Sequence, residues 1–198
     1  MLSTLHEPAT DRPADVTIEV WSDVVCPFCY VGKRRLERAL ASLPDGVTVR
    51  VEWKSFELDP QRITRTDASV TALLAEQKGM PMDQMQGLVD HVTAMGRGEG
   101  LDFAMDKSVW TNTFQAHVLL HWAKEQGRQH ALKERLLAAH FTEGANVDDR
   151  AALVRLAGEV GLSEDAAREA LNDVGYAEAV RHDAYESRTL GVRGVPFF

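Results

Sequence analysis

Two cysteines separated by two residues carry the clearest chemical signal in the sequence. Cys26 and Cys29 are the only cysteines among the 198 residues. A Cys-x-x-Cys pair is suited to reversible disulfide exchange or to metal binding. The chain has no second pair to complete a zinc site, and His117 and His121, one helical turn apart, lack the Glu of a His-Glu-x-x-His motif. We predict a redox pair and no metal site, with inert thiols and metal binding as alternatives.

The elements around the pair indicate which cysteine attacks. Residues 16–22, VTIEVWS, have the composition of a buried strand, and apolar residues recur at helical spacing from Pro27 to about residue 43. The pair thus lies where a strand passes into a helix, whose free N–H groups and positive dipole stabilise a thiolate. We predict that Cys26 is ionised, open to solvent and has a pKa below the free value of roughly 8.5. Cys29 would then resolve the mixed disulfide.

Asp23 is an acidic residue only three positions before Cys26. If it lies close to the sulfur in space, its charge opposes the thiolate or its carboxylate helps to move the proton. The alternative is a solvated carboxylate at the end of a strand. The sequence leaves both interpretations open.

The rest of the chain predicts one further strand and then an almost wholly helical region. Residues 47–58 alternate apolar and polar side chains, which predicts a strand parallel to the first in a β-α-β unit. Glycine and proline then separate seven predicted helices, at 67–78, 81–97, 110–126, 128–142, 148–160, 163–173 and 175–190. The chain closes on GVRGVPFF, the apolar start of another strand. This order of elements indicates the α/β class.

Composition excludes several classes of partner. The chain has 22 Lys and Arg against 30 Asp and Glu, a net charge of -8, which argues against nucleic acid. No stretch approaches the roughly 18 apolar residues of a membrane span, and the N-terminal residues resemble no signal peptide. We therefore predict a cytoplasmic protein without membrane contact, in which residues 1–15 form a disordered leader. The sequence does not indicate an oligomeric state.

Two segments carry a resemblance to a known family. WSDVVCPFCYVGKRRLE resembles the active-site segment of the DsbA-like family, in particular its FrnE-like branch, and GVRGVPFF resembles the cis-proline loop of the thioredoxin superfamily. TNTFQAH is similar to a segment of that family's helical insertion. The resemblance implies a thioredoxin-like α/β fold with a large all-helical insertion, and a chain that stops after the start of the cis-proline strand. We expect the natural protein to continue beyond Phe198.

The resemblance also implies a division of the chain into four parts. Residues 1–15 are the leader and residues 16–64 the N-terminal β-α-β part of the thioredoxin-like fold. Residues 65–190 are the helical insertion, and residues 191–198 return to the thioredoxin-like part with the cis-proline loop.

The resemblance further implies the site and its chemistry. Val195 and Pro196 are expected to form a cis peptide bond that faces Cys26, with Val195 offering backbone groups to a bound peptide or thiol. The other expected substrate-binding residues are Pro27, Phe28 and Asn112. The implied activity is disulfide exchange with a disulfide-containing protein or a small thiol. No cofactor is implied, apart from glutathione or another low-molecular-weight thiol as co-substrate. Because Phe28 stands where a His would add positive charge, we expect a mild oxidant.

Two other functions stay open. Relatives that resemble 2-hydroxychromene-2-carboxylate isomerases share this fold and bind glutathione, with a Ser in the place of Cys26, so a thiol-dependent small-molecule isomerase or transferase, in a setting such as polyketide biosynthesis, is the alternative. A peptide-binding chaperone is the other, because five methionines lie between residues 80 and 105. Ordinary core packing explains the methionines equally simply.

Overall fold

The computed structural model describes residues 15–198, so the predicted leader lies, apart from Asp15, outside the described residues. Two strands and eight helices follow one another in this part of the chain: β1 Val16–Ser22, α1 Pro27–Ala41, β2 Val49–Ser55, α2 Val70–Lys78, α3 Met82–Gly98, α4 Phe114–Glu125, α5 Gln129–Phe141, α6 Arg150–Glu159, α7 Glu164–Ala170 and α8 Val174–Thr189. The predicted α/β class with a helical insertion is confirmed. Within residues 15–198, no helix is both long and apolar enough to span a bilayer.

The strands form a small sheet beside the cysteine pair. β1 and β2 are parallel, as predicted, and run in register from Val16 opposite Val49 to Ser22 opposite Ser55. Trp21 of β1 also pairs antiparallel with Phe197 through two backbone hydrogen bonds of 2.9 and 3.1 Å. The last described residues therefore lie directly against the strand that leads to the cysteines.

The seven helices predicted after β2 are all present, with shifted ends. Ser69, Asp149, Ser163 and Asp173 cap α2, α6, α7 and α8, because each side chain accepts a hydrogen bond from a free N–H of the first turn. The sequence predicts the start of α4 at residue 110, whereas the helix begins at Phe114. The reason is that Trp110 is drawn into a bridge with Arg65, whose N–H donates to the Trp110 carbonyl at 2.7 Å.

Two apolar clusters form the core. The larger one is built mainly by side chains of α4 to α8, and Val24 from the loop before the cysteines joins it. The smaller one unites Tyr30 and Val31 of α1 with Phe103, Leu137 and Phe141, all from the helical region. The helical region is thus packed directly against the helix that begins at the cysteine pair.

The methionine-rich segment contributes to this packing. Met85 is 2% exposed, and Met95 and Met105 pack against the smaller cluster. Among the described methionines, Met82 keeps about half of its surface exposed. The core-packing interpretation therefore accounts for most of these side chains.

Candidate active site

The cysteine pair lies at the start of α1. Cys26 is the N-cap residue in an extended conformation, Pro27 opens the first turn, and the N–H of Cys29 donates to the Cys26 carbonyl at 3.0 Å. Proline fits this position because its missing N–H would have no helical partner there. Both thiols are free. The predicted placement at a strand-to-helix junction is correct.

The prediction that Cys26 is open to solvent is wrong. Cys26 is 3% exposed and Cys29 is 1% exposed. Phe28, between them, is 47% exposed and is the outermost side chain of the motif. The loop that carries Pro196 covers the Cys26 sulfur. Because Val195 and Cys26 are 169 positions apart, no local sequence pattern predicts this burial.

The cis-proline loop faces Cys26. The Val195–Pro196 bond is cis, and the Cys26 thiol donates to the Val195 carbonyl across 3.5 Å. The loop also lies close to α1, because a Cβ placed on Gly32 would meet Pro196 Cγ at 2.8 Å. Val195 and Pro196 are both half-buried, and the structure brings them to Cys26 as the resemblance implied.

A shallow apolar groove of about 460 Å³ opens beside this contact. The residues that line it come from α1, α3 and the cis-proline loop, and most of them are apolar. They are Phe28, Val31, Gly32, Leu36, Met95, Pro196 and Phe198, with Arg35 at the rim. Phe28 and Pro196 belong both to this groove and to the immediate surroundings of Cys26.

Asp23 is buried, so its interpretation as a solvated carboxylate is wrong. It is 1% exposed, accepts hydrogen bonds from the N–H groups of Val24 at 2.7 Å and Leu58 at 2.8 Å, and lies 3.2 Å from His117 Nε2. Burial raises the pKa of Asp23, but the hydrogen bond and charge of His117 outweigh it and bring the pKa below its ordinary value. Asp23 is therefore an anion held beneath the cysteine loop.

His117 is buried together with Asp23. It is 1% exposed, and its burial lowers its pKa despite the opposing effect of the Asp23 hydrogen bond and charge. His117 belongs to α4, so this contact ties the helical region to the cysteine loop. No periodicity or spacing signal pairs these two residues, because they are 94 positions apart.

The prediction that Cys26 has a lowered pKa is wrong. The interaction with the Cys29 sulfur, burial and the charge of Asp23 raise the pKa of Cys26 well above its ordinary value. Burial also raises the pKa of Cys29, but the Cys26 thiol and the charge of Lys133 outweigh it and lower that pKa. The helix N-terminus alone does not ionise Cys26, because its sulfur is covered and its neighbours are a thiol and a carboxylate.

Lys133 is a buried residue that sequence reasoning missed. Its side chain is fully buried, and Nζ donates to the Ser22 carbonyl at the end of β1 across 3.2 Å. A lysine in a charged helical segment normally indicates a solvated face. The only sequence signal available is its position among Leu132, Leu136 and Leu137, which are all buried in the structure.

Asn112 is engaged in the loop before α4. Its amide donates to the Arg62 carbonyl at 3.1 Å, and its Oδ1 accepts from the Phe114 N–H at 2.8 Å. The neighbouring Trp110 is buried under the Arg62 guanidinium, 3.9 Å from the ring centroid. These contacts give Asn112 a structural role, and its role in substrate binding stays a prediction.

The candidate histidines for a metal site bind separate partners. His117 contacts Asp23, whereas His121 lies 3.1 Å from Ser55 Oγ and 3.0 Å from Asp183. Within residues 15–198, the one group of three close metal-ligating side chains is His182, Asp183 and Glu186, far in sequence from the cysteines. Lys54 bridges both of its carboxylates, at 3.4 Å from Asp183 and 3.0 Å from Glu186.

Comparison with known proteins fits this geometry. The family model of the DSBA-like thioredoxin domain matches residues 17–198. The chain belongs to the DSBA-like thioredoxin family. This confirms the family that the two sequence segments resemble, while the FrnE-like branch stays an expectation.

Two known proteins share substantial sequence with this chain. The uncharacterized protein YwbO of Bacillus subtilis is 31% identical over 190 residues, which cover 92% of this chain and 86% of that protein. The crystal structure of the probable DsbA oxidoreductase SCO1869 from Streptomyces coelicolor is 41% identical, with a TM-score of 0.84 over 91% of this chain and 78% of that one.

More distant structures share the fold alone. The cytosolic disulfide reductase DsbM from Pseudomonas aeruginosa, solved with GSH, is 21% identical with a TM-score of 0.65 over 91% of this chain and 83% of that one. A 2-hydroxychromene-2-carboxylate isomerase is 15% identical with a TM-score of 0.62 over 92% of this chain and 85% of that one. The same scaffold therefore occurs both in a disulfide reductase and in an isomerase.

Proposed function

We propose that this chain is a thiol–disulfide oxidoreductase in which Cys26 attacks the substrate and Cys29 resolves the mixed disulfide. The observation that carries the proposal is the contact between the Cys26 thiol and the Val195 carbonyl, beside the cis Val195–Pro196 bond. The Val195 carbonyl contacts the Cys26 sulfur, and Phe28, close to Cys26 in the motif, is the exposed side chain. The identity of 41% to a probable DsbA oxidoreductase supports the same activity.

The proposed exchange has two steps. The two sulfurs share one proton, and its movement toward Cys29 makes Cys26 the thiolate that attacks a substrate disulfide. A Cys26–substrate bond forms, and the other substrate sulfur leaves as a thiolate that takes up the proton from Cys29, directly or through solvent. Cys29, as thiolate, then attacks the Cys26 sulfur. The Cys26–Cys29 bond forms, the second substrate sulfur leaves as a thiolate and is protonated, and the substrate disulfide has been reduced by two electrons.

The substrate is proposed to bind around the exposed side of the motif. Pro27, Phe28, Val195 and Pro196 surround Cys26, and the apolar groove continues from Phe28 and Pro196. Such a surface suits an apolar, extended segment of a protein or a small thiol. Glutathione is the proposed low-molecular-weight co-substrate, supported by the structure of DsbM with GSH. The proposed compartment is the cytoplasm, supported by the likeness in fold to DsbM, a cytosolic disulfide reductase.

Insulin reduction with dithiothreitol tests the activity. The parent chain should accelerate precipitation of the insulin B chain, and Cys26→Ser should reduce the rate to that of dithiothreitol alone because no mixed disulfide can form. Cys29→Ser should retain the attack but accumulate a mixed disulfide, which non-reducing electrophoresis detects. Equal rates for the parent and Cys26→Ser would reject the proposal.

The isomerase alternative makes a different prediction for Cys29. A glutathione-dependent isomerase needs a bound thiol but no resolving cysteine, so Cys29→Ser would retain full turnover of a 2-hydroxychromene carboxylate with glutathione. The presence of both cysteines, close together at the start of α1, favours the dithiol mechanism.

The equilibrium of the Cys26–Cys29 couple with glutathione determines the direction of electron flow. A Cys26–Cys29 couple near roughly -270 mV against glutathione indicates a reductase, and one near roughly -120 mV indicates an oxidant. A reducing cytoplasm favours the dithiol at rest, which supports the reductase direction.

A further inference from the structure

The apolar groove beside Cys26 has one charged side chain at its rim. The groove follows α1, because Phe28, Val31 and Arg35 come from successive turns of this helix. Arg35 is the one charged residue among the described residues that line it. The Arg35 side chain is 54% exposed, so its guanidinium group is accessible to a ligand. A ligand that extends from the sulfur along the groove therefore meets apolar side chains first and a cation next.

Arg35 keeps hydrogen-bond donors that the described chain does not use. Its Nε donates to Glu99 Oε1 at 2.8 Å, and its two terminal nitrogens make no hydrogen bond within residues 15–198. Arg38, one turn further along α1, is bound differently, because both of its terminal nitrogens donate to the same carboxylate, at 2.7 and 3.4 Å. Glu99 is thus a single negative charge shared by two arginines. The unused donors belong to Arg35, at the groove.

The length of the groove sets the spacing that a substrate needs. Phe28 and Arg35 are seven residues apart in α1, and a helix rises 1.5 Å per residue, so they are separated by about 10 Å along the helix axis. An extended peptide covers about 3.3 Å per residue, so about three residues span this distance. A segment whose cysteine lies at Cys26 therefore brings the side chain three residues away to Arg35.

We propose that Arg35 is a specificity-determining residue: it binds an acidic side chain about three residues from the reacting cysteine of an extended protein segment. The inference rests on the proposed oxidoreductase function. The carboxylate accepts charge-assisted hydrogen bonds from the unused terminal nitrogens, and an apolar side chain between it and the cysteine occupies the groove. A protein segment fits this groove better than glutathione does, because glutathione has no apolar side chain to fill it. Arg35 itself takes no part in the exchange.

Peptides with a thiopyridine leaving group test this preference. Each peptide carries one cysteine as a mixed disulfide, and attack of Cys26 on the cysteine sulfur releases thiopyridone, whose absorbance gives the rate. Glutamate three residues before or three residues after the cysteine should raise the rate about threefold over glutamine in one of the two orientations, because a partly exposed ion pair contributes modestly. Glutamate next to the cysteine should have no such effect. About 1 M salt should abolish the preference, since it screens exposed charges. Equal rates for the glutamate and glutamine peptides would overturn the proposal.

Two arginine variants separate a direct contact from the general charge of α1. Arg35→Met keeps an apolar stem, leaves Glu99 paired with Arg38 and should remove the preference for the glutamate peptide. Arg38→Met removes the same charge and an ion pair with the same carboxylate, but it leaves Arg35 at the groove. It should still favour the glutamate peptide about twofold or more. Equal loss of the preference in both variants would overturn the proposal.

Glutathione disulfide separates the proposed occupant from the small thiol. Its exchange rate should be the same in the parent and in Arg35→Met. If glutathione disulfide loses rate in Arg35→Met and the peptides do not, the carboxylate at the rim belongs to the small thiol and the proposal is overturned. The proposed function fails separately, if Cys26→Ser releases thiopyridone from every peptide as fast as the parent does.

Discussion

His140 is a buried titratable residue that makes stability depend on pH. It lies in α5, is 3% exposed and has an Nδ1 atom without a hydrogen-bond partner in the described chain. Its ring packs edge-on against Phe141, with centroids 4.6 Å apart. Burial lowers its pKa from 6.5 to about 4, because the charged imidazolium would lose its hydration there. The folded chain therefore holds this ring neutral where the unfolded chain protonates it.

The sign of the pH effect follows from that depressed pKa. As the pH falls from about 6.5 to about 4, the unfolded state binds a proton at His140 that the folded state does not bind, so the free energy of unfolding decreases. The contribution of His140 over this window is about 3 kcal/mol. Urea unfolding of His140→Leu should show a flatter pH dependence than that of the parent by about that amount. Parallel curves for the parent and His140→Leu would contradict the prediction.

At the residue scale, the sequence predicted the reactive pair but not its electrostatic surroundings. Cys26, Cys29 and Pro196 were identifiable because the motif and the terminal GVPFF segment are local patterns. Asp23 and His117 are 94 positions apart, and Lys133 is 111 positions from Ser22. No local periodicity predicts such contacts, and so the predicted lowering of the Cys26 pKa is wrong.

At the scale of elements, α1 approaches the cis-proline loop so closely that position 32 accommodates only glycine. A Cβ on Gly32 would lie 2.8 Å from Pro196 Cγ, whereas a Cβ on Gly87, in α3, would meet nothing within 4 Å. Both glycines are inside helices, so alanine has the same intrinsic advantage at each position. The difference between the two substitutions therefore isolates the contact with Pro196.

We expect Gly32→Ala and Gly87→Ala to change stability in opposite directions. Gly32→Ala should lower the free energy of unfolding by about 1–3 kcal/mol through overpacking and should slow insulin reduction, because Pro196 is displaced from Cys26. Gly87→Ala should raise it by about 0.5–1 kcal/mol and leave the insulin rate unchanged. Thermal unfolding and the insulin assay measure both effects. A Gly32→Ala chain as stable and active as the parent would show that the loop adapts freely.

The elements themselves were largely predictable. The strand at 16–22, the parallel β-α-β unit and the seven later helices follow from apolar periodicity and from the capping and glycine signals between them. Most element ends moved by one to four residues: β2 is shorter than predicted, and α4 begins four residues late because of a distant contact. Trp110, for example, bonds to Arg65 across 45 positions instead of joining the helix.

At the scale of the whole molecule, buried polar contacts join the helical region to the sheet. The Gln129 amide exchanges two hydrogen bonds with the backbone of Trp53, at 2.9 and 3.2 Å. The Ser55 N–H donates to Asp183 Oδ2 at 2.7 Å. If either the sheet or the helical region unfolded alone, these bonds and the contacts of Asp23 and Lys133 would break. Buried polar groups of both parts would then lack hydrogen-bond partners.

We expect a single cooperative unfolding transition as a consequence. In a Trp110→Phe/Trp122→Phe chain, tryptophan fluorescence reports Trp21 and Trp53 of the sheet, and its urea midpoint should equal that of far-ultraviolet circular dichroism, which reports mainly the helices. The two probes should also shift together in Gly32→Ala. A helical signal that survives beyond the fluorescence transition would show that the helical region is stable on its own.

The placement of Lys133 and His117 on helices of the insertion has a consequence for chimaeras. A graft that exchanges this region between relatives would also exchange two buried partners of the segment that carries the cysteines, because His117 contacts Asp23 and Lys133 donates to the Ser22 carbonyl. A recipient scaffold that keeps its own Cys-x-x-Cys segment should therefore lose these buried hydrogen bonds unless the donor helices supply the same side chains.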